Sequence, residues 1–113
     1  MLISKLEVSD MEKKNDMGAL NELFEAILCL ETVEECNDFF RDVCTKLELR
    51  SIAQRYQVAK MLTEHCVYNE IVAATGASTA TISRVNRSLD DGGNGYRVVF
   101  ERLENLKGDG KDG

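Results

Sequence analysis

An all-α fold is predicted for this chain by three observations. The 113 residues contain no proline, the residue least compatible with a helix interior. Apolar residues recur at three- and four-residue spacing through most of the chain, the repeat of a one-sided helix. Two Thr-x-x-Glu boxes and one glycine sit where helices of that spacing have to start and stop.

Taken in order, residues 11–30 carry Met17, Leu20, Leu23, Phe24, Ile27, Leu28 and Leu30, a broad apolar face on a first helix. Thr32-Val-Glu-Glu35 is a capping box, and the helix it opens carries Cys36, Phe39, Phe40 and Val43. Thr45-Lys-Leu-Glu48 opens a longer one through Leu49, Ile52, Ala53, Tyr56, Ala59, Lys60 and Leu62. Two short helices follow within 69–89. Asp90 to Gly95, with three glycines, reads as a flexible connector. Helical spacing returns from Tyr96 to Leu106 through Val99, Phe100 and Leu103, giving six helices in one domain over 1–106. The polar, glycine-rich tail 107–113 is expected to be disordered.

The segment 69–89 is the most informative. Gly76 suits the left-handed residue that ends a helix, Ala77 fits a tight corner, and Ser78 can cap the next helix. Ile71, Ala74, Ala77, Ile82 and Val85 fall where a helix-turn-helix packs its two helices together. On the second helix Ile82, Val85 and Leu89 form the inner stripe. At about 100° per residue, Ala80, Ser83, Arg84 and Arg87 then lie opposite, with Thr79 at the leading edge. Small polar and basic residues on an outward face let a helix approach base edges in a DNA major groove. A plain helical hairpin in an all-α core would share the apolar pattern.

Charge favours the DNA reading. The chain carries a net −6. Residues 1–48 hold five basic and twelve acidic groups, and residues 90–113 hold four and six. Residues 49–89 hold Arg50, Arg55, Lys60, Arg84 and Arg87 against Glu64 and Glu70, so the one basic segment contains the helix-turn-helix. Local potential matters more to a polyanion than total charge.

Other classes find little support. One histidine, no paired carboxylates in an apolar setting and no phosphate-cradling glycine loop leave no catalytic set, so no enzyme and no cofactor are expected. Cys29, Cys36, Cys44 and Cys66 form no Cys-x-x-Cys pair, which argues against zinc and for buried thiols on helix faces. A redox role for a thiol such as Cys66 stays open. No apolar run of about 18 residues is present, so a cytoplasmic protein that does not enter the membrane is expected. Phe24, Ile27, Leu28 and Leu30, with Phe39 and Phe40 close in sequence, exceed what so short a chain can bury alone. A second copy would supply the rest of the core.

Glu70-Ile71, Gly76-Ala77, Ala80-Thr81-Ile82, Ser83-Arg84 and Ser88-Leu89 together resemble the Trp repressor family. Ile52-Ala53-Gln54-Arg55 and Val58-Ala59-Lys60-Met61-Leu62 look more like its YerC/YecD branch. The resemblance covers roughly 12–106. It implies an intertwined homodimer that binds double-stranded DNA through two reading heads about one helical turn apart, roughly 34 Å. Within the reading helix Thr79 to Leu89, Thr79, Ala80 and Ser83 match positions that reach base edges. Asn69, Thr81 and Ser83 match positions that touch phosphates, and Ser78 at the cap, Arg84 and Arg87 complete the DNA-facing set.

The ligand chemistry of the family carries over poorly. In tryptophan-responsive members two arginines flank the indole and a glycine follows the second. Here the first arginine position is Gln54, with Arg55 one residue away and so turned by about 100°. Arg84 keeps the second, Val85 replaces the glycine, Cys44 stands at a threonine position, and Ser88 is the last of the set. The resemblance therefore implies a closed or reshaped pocket, and a regulator that tryptophan does not control. Two function classes follow: a sequence-specific DNA-binding regulator, read as a repressor, with or without an unidentified small-molecule effector; and a protein-interaction adaptor that kept the fold without reading DNA.

Overall fold

The computed structural model describes residues 5–92 and 94–111, with side chains from 16 to 92 and from 94 to 108. Among them are six helices and no strand: α1 (Lys5–Leu28), α2 (Val33–Val43), α3 (Lys46–Thr63), α4 (Tyr68–Thr75), α5 (Thr79–Asp90) and α6 (Asn94–Lys111). The order is the expected one. The single chain divides into two compact units, Met1–Thr45 and Lys46–Gly113.

The first unit holds α1 and α2. Thr32 caps α2 by accepting the Glu35 N–H at 3.1 Å. The Glu35 carboxylate reaches back to the N–H of Glu31 at 2.8 Å, one residue beyond the usual partner of a capping box. Phe39 and Phe40 meet edge to face, 5.6 Å between centroids. None of the described side chains of this unit is fully buried, and Phe24 is 52% and Leu28 84% exposed. The apolar face of α1 is thus left open within this unit.

The second unit is built on α3. Val58, Ala59, Ile71, Ala77, Ile82 and Val85 form its buried core, so α3 packs against both short helices and these against each other. Met61, Leu62, Cys66, Leu89, Tyr96 and Phe100 pack around that core. Val58 lies off the apolar stripe that spacing predicts for α3, whereas Ile52, which lies on it, is exposed. The short α4 and α5 decide which side of α3 is covered, and periodicity cannot weigh that. α3 ends with Cys66 N–H on the Met61 carbonyl and His65 N–H on that of Leu62, with His65 left-handed at φ 64°. This pair of bonds satisfies carbonyls left over at the helix end, and the lone histidine serves as a terminator there.

α6 begins at Asn94, inside the expected connector, and brings Tyr96 and Phe100 to the core. Phe100 lies 5.6 Å from the Tyr56 ring and 6.0 Å from Tyr96. It also continues to Lys111, through much of the tail expected to be disordered. Helix growth adds a hydrogen bond per residue once nucleated, so a helix anchored by its apolar residues from Tyr96 onward can run into a polar stretch that would not start one. Residues 112 and 113 lie outside the described set. The thiols also differ from expectation: Cys29 and Cys36 are exposed, and Cys44 and Cys66 half-buried. Cys29 and Cys36 belong to the unit that has no closed core. No helix among the described residues is long and apolar enough to cross a membrane.

Candidate nucleic-acid interface

The α4–turn–α5 unit is assembled from short-range chemistry. Val67 at the start of α4 has no side-chain acceptor, so only the Glu70 half of a capping box forms, its carboxylate taking the Val67 N–H at 3.1 Å. At the other end Thr75 Oγ1 donates to the Ile71 carbonyl at 2.7 Å and accepts the Ala77 N–H at 3.1 Å, stitching the corner. Gly76 is left-handed at φ 72° and donates its N–H to the Val72 carbonyl at 2.9 Å. A Cβ at Gly76 would meet nothing within 4 Å, so backbone conformation rather than crowding calls for glycine. Ser78 Oγ accepts the Thr81 N–H at 3.1 Å and caps α5 as expected. Ser78 Oγ also donates to Thr81 Oγ1 at 3.1 Å.

The inner stripe of α5 is Ile82 and Val85, both buried, with Leu89 half-buried. That orientation decides what faces outward. Ser78, Thr79, Ala80, Arg84 and Arg87 are exposed, Thr81 and Ser83 half-buried, and Asn69 is exposed on the first turn of α4. The predicted DNA-facing set is thus exposed or half-buried, spread from the first turn of α4 to the last turn of α5. Neither Arg84 nor Arg87 is ion-paired among the described residues, and no acid occupies the first turn of α5. The N-terminal end of α5 therefore carries the positive end of its dipole with no acid to offset it, while Arg84 and Arg87 add positive charge along the middle and last turn of the helix. Ala74 departs from the prediction: it is exposed, and beside Thr75 it lines a hollow of about 380 Å³ with Arg50, Ala53, Gln54, Gln57 and Met61. An eight-residue helix has room for one inner row, and Ile71 occupies it.

The residues at ligand positions have different surroundings. Val85 is 3% exposed and belongs to the core. Arg84 is exposed. Ser88 lines an apolar groove of about 520 Å³ with Tyr56, Gly95, Tyr96 and Val99, separate from the hollow that holds Gln54. Cys44 caps α2 in the first unit, its N–H on the Phe40 carbonyl at 2.9 Å. Arg55 donates from Nε to the Ser51 carbonyl of its own helix at 3.4 Å. Gln54 is the residue whose role the sequence did not reveal. Its Nε2 donates to the Thr75 carbonyl at 3.0 Å, joining α3 to the corner of the helix-turn-helix.

The family model described as Trp repressor protein matches residues 18–104. This chain belongs to the Trp repressor family. Within it, the chain is 49% identical over 85 residues to the uncharacterized protein YerC of Bacillus subtilis, covering 75% of this chain and 82% of that one. A TrpR-like protein from Eubacterium eligens has the same fold with a TM-score of 0.74 at 59% identity, over 77% of this chain and 90% of that structure. A Trp repressor candidate from Staphylococcus aureus matches with a TM-score of 0.74 at 52% identity, over 77% and 87%. The family is one of regulators, and α4–α5 is the part of this member that presents a basic, small-residue face.

Proposed function

We propose that this protein is a homodimeric transcriptional repressor that reads DNA with α5 and does not respond to tryptophan. One observation carries the reading: a helix held from behind by Ile82 and Val85 exposes Thr79, Ala80, Arg84 and Arg87 on its outer side. Selection from sheared genomic DNA by the purified protein, without added ligand, tests it. The expected result is enrichment of a palindrome with half-sites about one turn apart, roughly 10 base pairs. Absence of enrichment, with and without a metabolite pool, would favour an adaptor that has lost DNA reading.

The dimer reading rests on large apolar residues that one copy leaves exposed. Met17, Leu20, Phe24 and Leu28 on α1 and Val99 and Leu103 on α6 are all exposed. Surface of this kind is buried in obligate homodimers. Phe24→Asp is expected to convert the dimer to monomer or to unfolded chain in sedimentation analysis. A variant that still sediments as a folded dimer would show that α1 is not in the interface.

Insensitivity to tryptophan rests on Val85 in the core and on Gln54 engaged with Thr75. Calorimetric titration with L-tryptophan is expected to give no heat of binding at micromolar affinity. A saturable micromolar isotherm would overturn this.

A further inference from the structure

We infer that Gln54 is a positioning residue that holds the reading head on α3 and so does within the chain what an effector would otherwise have to do. The inference rests on the DNA-reading role proposed above. Ser78, Thr75, Glu70 and Thr32 make their side-chain hydrogen bonds to groups within four positions. Such bonds shape a helix end without placing it on the rest of the protein. The Gln54 bond spans 21 residues, from the middle of α3 to the last residue of α4. Its acceptor is a terminal carbonyl, one of the four at a helix end that intrahelical bonding leaves over. The same Thr75 fixes the corner through its hydroxyl, on Ile71 O and Ala77 N–H. From Gln54 the connection therefore runs to Thr75, then to Ala77 at the corner, then to the Ser78 cap that starts α5.

The bond is part-buried, which limits competition from water. Apolar packing at Val58, Ile71, Ile82 and Val85 resists separation of the helices but is not directional. The directed bond selects one angle of α4–α5 on α3, the angle that two reading heads need in common to meet successive major grooves. A methionine at this position would keep the length and lose the donor. A lysine would lose the amide and keep a donor.

The test is amide hydrogen exchange on full-length wild type, Gln54→Met and Gln54→Lys, with thermal melting and DNA affinity measured in parallel. In Gln54→Met, exchange at Ala77, Thr81 and Ile82 is expected to rise about tenfold, the scale of one missing hydrogen bond. Val58 and Ala59 are expected to keep wild-type protection, and Gln54→Lys to restore most of the protection at the corner. DNA affinity of Gln54→Met is expected to fall several-fold while the melting temperature moves little. Unchanged exchange at the corner, or a rise equal at Val58 and Ala59, would overturn the proposal, the second because it signals loss of global stability. A corner that loosens as expected in a protein whose wild type binds no DNA would uphold the clamp and refute the DNA-reading role.

Discussion

Ile82→Ala is expected to lower folding stability by about 3 kcal/mol, within the range of roughly 2–5 for a buried isoleucine cut to alanine. Ile82 is fully buried, and it belongs to one core cluster with Val58, Ala59, Ile71, Ala77 and Val85 where three helices come together. Removing its outer carbons leaves a void that three short, mutually braced elements cannot close without moving α5. The better helix propensity of alanine returns only about 0.4 kcal/mol. The loss is a large share of the roughly 5–15 kcal/mol that holds a domain folded. Urea titration at fixed protein concentration measures it, since assembly makes apparent stability concentration-dependent. Val72→Ala is the control on the neighbouring helix: Val72 is 37% exposed, and its truncation is expected to shift stability by no more than about 0.5 kcal/mol. A cost for Ile82→Ala below that of Val72→Ala would contradict the core described for the second unit.

The second large effect is on DNA. Arg84→Ala combined with Arg87→Ala is expected to weaken binding to every sequence and to flatten its salt dependence. A dimer would give up four positive charges facing the DNA backbone. The slope of log affinity against log salt should then fall by about one for each phosphate that is no longer neutralised. The body of the protein is acidic, so little else would compensate. Thr79→Ala and Ser83→Ala are expected to act differently. Each should leave the salt slope near that of wild type and change the preferred sequence, by about 1–3 kcal/mol for each base edge that is no longer read. Affinity measured across a salt series on matched and mismatched operators separates the two behaviours. If all four substitutions left binding intact, α5 would not be the reading helix.

Much of this fold is legible in the sequence because it is local. The Gly76 corner, the Ser78 cap and the Thr32 cap involve partners within a few residues, and the sequence displays both partners side by side. The inner stripe of α5 is legible for the same reason, since helical geometry converts spacing into direction. Expectation fails where a residue's partner is remote. Ala74 fits the periodic pattern but lies on the open side of an eight-residue helix. Val58 is core because α4 and α5 cover its side of α3, and Ile52 is exposed because they do not cover its own.

By itself, the sequence determined six helices, their order, the turn chemistry and the outward face of α5, all of which follow from hydrogen bonds and side-chain directions over three or four residues. Tertiary structure alone decided that Val58 is core and Ile52 is not, that Ser88 and Gln54 border different hollows, and that the Gln54 amide meets the Thr75 carbonyl 21 residues away. Those facts depend on how α3, α4 and α5 pack in three dimensions. Packing angle is set by the summed fit of many side chains, and no short stretch of sequence contains that sum.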